Sequence, residues 1–156
     1  MHTEQGEMMA ENETGTVMLP PAKTQEAFVH IGFAKAKLAR GRAFVLAILA
    51  GAFVALGASF MLMVRADSTL SPSVSLILGG LAFCLGLFLV LVAGAELFTG
   101  NCLMLIGALD GRYPMMKMVR KWAVVYAGNA VGALLAVALL LASGFLSMQE
   151  LSLIHI

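Results

Sequence analysis

Long stretches without a single charged residue do most to limit how this chain can fold. Residues 43–64 read AFVLAILAGAFVALGASFMLMV, and residues 68–95 and 122–149 are equally free of charge. About 20 apolar residues suffice to cross the hydrocarbon core of a bilayer. At about 1.5 Å per residue, the 22 residues of the first run reach about 33 Å, long enough to span it. A soluble core can hide one apolar helix but not three runs of this length. The pattern therefore predicts an all-α membrane protein with three transmembrane helices. Composition agrees, with 60% hydrophobic and 12% charged residues, where an ordinary soluble domain has about 25% charged. That balance excludes a disordered chain, a nucleic-acid module and most soluble enzymes. A formal net charge of +1 offers no field to steer a polyanion.

The region ahead of the first run differs in kind. Residues 1–20 are polar, with Glu4, Glu7, Glu11 and Glu13, and are expected to be disordered. They lack the basic segment and apolar core of a secretory leader. Residues 21–42 are expected to form an amphipathic helix on the cytoplasmic membrane surface. Ala27, Phe28, Ile31, Ala34 and Leu38 would share its apolar side. A solvated leader docked on the protein is the alternative. Residues 43–149 make up the three-span domain. Lys23, Lys35, Lys37, Arg40 and Arg42 precede the first span, and Arg112, Lys117, Arg120 and Lys121 precede the third. The loop between the first two spans holds only Arg65, offset by Asp67. This asymmetry places the N-terminus in the cytoplasm, in a plasma or inner membrane.

The second run is interrupted. From Pro72 to Leu109 it covers 38 residues, about 57 Å as one helix, which is too long for a single span. Near its middle stands Ala93-Gly94-Ala95-Glu96-Leu97-Phe98-Thr99-Gly100-Asn101. Irregular backbone at membrane depth is tolerated only where it is buried in protein or lines a cavity, and broken helices form sites near the midplane of transport proteins. A carboxylate at Glu96 is costly there. Its expected role is to accept backbone N–H groups and pin the loop, with Gly94 and Gly100 stabilising the same loop. An acid in direct contact with a permeant anion would repel it. Thr99 and Asn101 carry neutral donors suited to a polar lining.

Other residues read more plainly. Gly128 and Gly132 form a G-x-x-x-G pair that allows close helix packing. Asn129, in the same helix, is expected to bond backbone or a neighbouring polar group. Cys84 and Cys102 read as small buried apolar residues rather than a disulfide. His2, His30 and His155 have no metal-ligand spacing. No nucleotide-binding, nucleophile-elbow or metalloprotease pattern is present, so no metal, cofactor or nucleic-acid partner is expected.

The segment GAELFTGN at 94–101, preceded by FCLGL at 83–87 and followed by KWAVVYAGNAVGALL at 121–135, resembles the formate/nitrite transporter family. The resemblance runs from about residue 21 to 145, the first half of a family member. It implies a channel or transporter for small monovalent anions, formate or nitrite first, and not an enzyme. It also implies an aquaporin-like fold of six helices in two inverted three-span halves, with a pore in each subunit of a homopentamer. Phe83 and Leu87 match the apolar residues that narrow the outer side of the pore, and Leu97 and Phe98 those that narrow the cytoplasmic side. Thr99 matches the threonine between the two constrictions, with Asn101 following. Glu96 matches the family's acidic loop residue. The family's second half supplies a lysine and a histidine that no residue here matches.

Two alternatives follow from the same reading. One is a hydrosulfide channel of the same family. The other is a three-span membrane subunit without its own pore, which the charge asymmetry argues against. Residues 150–156 are set apart: LSLIHI at 151–156, read as CTG-TCT-CTT-ATA-CAC-ATC, resembles a transposon-end adapter. The expectation is that this tail is adapter-derived and that the natural protein continues.

Overall fold

The computed structural model describes residues 21–67 and 69–144. Among these residues the chain is helical throughout, with no strand. The helices are α1 (Pro21–Lys37), α2 (Arg40–Arg65), α3 (Pro72–Val92), α4 (Phe98–Asn101), α5 (Met104–Leu109) and α6 (Met115–Ala142). Three of them, α2, α3 and α6, are each long and apolar enough to cross a membrane. The all-α, three-span expectation holds. The expected disordered tail at 1–20 and the tail at 150–156 lie outside the described residues.

The central helix is α2, with α6 along one side and α3 along another. In lipid, apolar side chains gain little by meeting one another, so helices associate through close backbone approach and hydrogen bonds. The sequence provides for that approach. Ala43, Ala47 and Ala50 form a fully buried small-residue stripe on α2. A Cβ added to Gly132 would overlap the Ile48 carbonyl, and one added to Gly51 would overlap that of Asn129. Between α2 and α3, a Cβ on Gly57 would lie 2.9 Å from the Gly86 Cα.

The two neighbours of α2 are staggered. Gly79 lies against the Arg65 side chain at the end of α2, so the first two turns of α3 project beyond it. At its other end α3 stops beside Ala50, where Val90 packs, in the first half of α2. The stop is local in origin. Gly94 adopts φ 61°, and the Gly94 and Ala95 N–H groups return to the Leu91 and Val90 carbonyls at 3.2 and 3.0 Å. Ala95 packs in the same cluster as Val90. This is a Schellman ending, which requires a left-handed residue that glycine adopts without strain.

Several boundaries differ from those of the uncharged runs. The apolar residues after the break form two short helices, α4 and α5. Helix α6 starts before the third run, taking in Lys117, Arg120 and Lys121, because Pro114 sets its N-terminus and surface charge does not stop a helix. The buried face of α1 is Val29, Gly32 and Ala36, lying against α5, whereas Ile31 and Ala34 are exposed. Cys84 and Cys102 are also exposed rather than buried, since the described helices pack on the glycine and alanine faces instead.

Candidate functional site: the broken helix and its groove

The loop between α3 and α4 is held from three directions. The Glu96 N–H donates to the Leu46 carbonyl of α2 at 3.2 Å. The Glu96 side chain, only 8% exposed, accepts Lys35 Nζ at 2.9 Å on each carboxylate oxygen and Asn101 Nδ2 at 2.7 Å. Among the described residues no backbone N–H reaches this carboxylate, so its partners are not those expected from the sequence. The physical reason is charge: a buried carboxylate is best compensated by a cation. Lys35 comes from α1, 61 positions away, and in the sequence reads as one of a row of surface lysines.

Asn129, midway along α6, links three elements. Its Nδ2 donates to the Ala47 carbonyl of α2 at 2.8 Å and to the Glu96 carbonyl at 3.0 Å. Its Oδ1 accepts the Phe98 N–H at 2.9 Å. That bond satisfies a donor that the start of a short helix leaves free. Trp122 Nε1 donates to the Asn101 carbonyl at 2.9 Å, tying the far end of α4 to α6 as well.

Asn101 does not line an open surface. It is fully buried, with Nδ2 also donating to the Leu97 carbonyl at 3.0 Å. The expectation that it joins Thr99 in a polar lining is corrected: Glu96 and Leu97 draw its amide into the protein. Its Oδ1 has no hydrogen-bond partner among the described residues. Gly100 has a Cβ position open to space and no positive φ, so the described structure places no demand for glycine there.

Two further contacts anchor the same end of the bundle. Lys121 Nζ donates to the Leu38 carbonyl at 2.7 Å, just past the end of α1. The Tyr113 hydroxyl donates to the Met104 carbonyl. Burial raises the Tyr113 pKa above that of an ordinary phenol.

Phe83 and Leu87 of α3, Leu97 of the loop, and Phe98 and Thr99 of α4 come together along one groove of about 440 Å³. Tyr126, Asn129 and Ala130 of α6 and Val54 of α2 complete its lining. No side chain that carries a charge at neutral pH is among them. The Phe98 ring meets Trp122 and Tyr126 edge-on, with centroids 5.8 and 5.6 Å apart. Thr99 is exposed, and its hydroxyl makes no hydrogen bond to the described residues. Such a lining can replace little of a solute's hydration. Among the described residues there is no cluster of His, Cys, Asp or Glu fit to hold a metal.

A bundle of helices long and apolar enough to span a membrane, with a broken helix beside an apolar groove, is an arrangement found among membrane transport proteins. The chain belongs to the formate/nitrite transporter family, whose model matches residues 22–156. It is 34% identical over 139 residues to the formate channel FocA of Haemophilus influenzae, covering 88% of this chain and 49% of that protein. It is 37% identical over 138 residues to a probable formate transporter of Methanothermobacter thermautotrophicus, covering 85% and 50% respectively. A solved FNT family ion channel superposes with a TM-score of 0.71 at 28% identity, over 79% of this chain and 50% of that one. The chain thus spans about half the length of the curated relatives it matches.

Proposed function

We propose that this chain forms one wall of a permeation path for a small monovalent anion, formate or nitrite. The observation that carries this reading is the single groove in which Phe83, Leu87, Leu97, Phe98 and Thr99 meet. Apolar side chains on both sides of Thr99 strip water from a solute, and the free Thr99 hydroxyl replaces one lost hydrogen bond. Glu96 stays out of the path, neutralised by Lys35, so the anion meets no fixed negative charge. The path transports its cargo without chemical change. The opposite wall would come from a second three-helix half, giving the aquaporin-like inverted repeat, and five such proteins would assemble as a pentamer. Hydrosulfide remains the alternative cargo, since size and dehydration cost do not name the ion. The basic residues gathered near α1 and the start of α6 support an N-terminus on the cytoplasmic side.

The test is anion flux into vesicles holding the natural protein that contains this sequence. Formate or nitrite should enter faster than into protein-free vesicles. Thr99→Ala should slow entry about three- to tenfold, the worth of one net hydrogen bond. Equal rates with and without protein would overturn the reading.

A further inference from the structure

A second cavity, of about 410 Å³, lies where the α1–α2 junction meets the first turns of α6. Its lining includes Lys37 and Arg40 from the junction and Lys117, Arg120 and Lys121 from α6, and no acidic residue. Lys121 is turned inward onto the Leu38 carbonyl. The other four form no ion pair among the described residues, although Lys37 Nζ also lies 4.3 Å from the Phe33 ring centroid. The ion pairs Lys35–Glu96 and Arg112–Asp110, at this end of the bundle, involve other residues. Several like charges converging on one cavity repel one another, and an anion placed between them relieves that repulsion.

The position of the cavity narrows the chemistry. It opens at the end of two membrane-spanning helices, where phospholipid headgroups lie. Met116, in its wall, is 60% exposed, and Met115 and Val119 beside it on α6 are also exposed. A basic cavity bordered by uncovered apolar side chains matches a molecule with an anionic head and a hydrocarbon tail. We infer that this cavity holds the phosphate headgroup of an anionic phospholipid, with its acyl chains running alongside α2 and α6 into the bilayer. The site stands apart from the groove and does not depend on which ion the groove passes.

The experiment is lipid binding by the natural protein that contains this sequence, purified in detergent and read by native mass spectrometry. The probes are phosphatidylglycerol, phosphatidylcholine and inorganic phosphate. Phosphatidylglycerol should bind in preference to phosphatidylcholine, and millimolar inorganic phosphate should not displace it. Replacing Arg40, Lys117 and Arg120 together with Gln should weaken phosphatidylglycerol binding on the order of a hundredfold. Arg42→Gln, outside the cavity, should leave binding unchanged. If the triple variant does not fold, Arg120→Gln alone should still weaken binding severalfold and Arg120→Lys should restore it. Equal binding of the two lipids, or unchanged binding in the folded variants, would overturn the inference. Displacement by inorganic phosphate would show a free-anion site and overturn the lipid assignment.

Discussion

Without the Lys35 ammonium, the Glu96 carboxylate would keep, among the described residues, only the Asn101 amide as a donor. Breaking a buried pair from one side strands the other charge, which costs about 3–5 kcal/mol. Lys35 retains 21% side-chain exposure, so the lower end of that range applies, about 3 kcal/mol for Lys35→Met. Glu96→Gln should also destabilise, and the double variant should lose less than the sum, with a coupling of about 1–3 kcal/mol. Melting of the four proteins in one detergent measures this, and strictly additive losses would refute it. Tyr113 gives a pH-dependent counterpart. Burial raises its pKa in the folded state, so folding favours the neutral phenol. That contribution is fully present below the unfolded value of about 10 and is lost as pH rises through the raised folded value. Alkaline melting should therefore show a step that Tyr113→Phe removes.

Helix ends and crossings are where sequence and structure part company in instructive ways. The spans were legible because lipid demands uninterrupted apolar helix, a constraint that leaves a direct trace in composition. The break was legible because Gly94 and Glu96 violate that constraint. The start of α6 was not, because a search for uncharged residues finds the membrane core and not the helix, which continues through Lys117, Arg120 and Lys121. The inner face of α1 was missed because its buried contacts are made by Val29, Gly32 and Ala36, small residues that leave a weak hydrophobic signal. Lys35 was missed because no local pattern links residues 61 positions apart. Glycine substitutions separate the two uses of that residue. Gly94→Ala should cost about 1–2 kcal/mol through left-handed backbone alone, since its Cβ meets nothing. Gly132→Ala should cost more, because α6 must retreat from the Ile48 carbonyl. Gly80→Ala, helical and with open space around it, should stabilise by about 0.5–1 kcal/mol. Thermal unfolding of the three variants would rank them, and a Gly132→Ala protein as stable as Gly80→Ala would contradict the crossing described.

At the scale of the whole molecule, the polar and apolar parts divide the work. Hydrogen bonds from Asn129, Asn101 and Lys35 hold the broken segment behind the groove, while Leu97, Phe98 and Thr99 form its face. Phe98 is the side chain through which this division can be tested. Its ring is braced by Trp122 and Tyr126, and its backbone N–H is fixed by Asn129, so it cannot easily swing aside to admit a larger solute. If the groove is the path, Phe98→Ala widens it while leaving the hydrogen bonds of the loop in place. Entry of acetate or lactate should then rise severalfold relative to formate, and the Thr99 hydroxyl should still contribute to formate entry. A size-selective groove predicts a change in the ratio of rates, whereas a merely destabilised protein loses all rates together. The ratio, measured as flux of each anion into the same vesicles, therefore tests the path independently of expression and folding. An unchanged ratio in a well-folded Phe98→Ala protein would move the size limit away from α4, leaving Phe83 and Leu87 on α3 as the side chains to vary next.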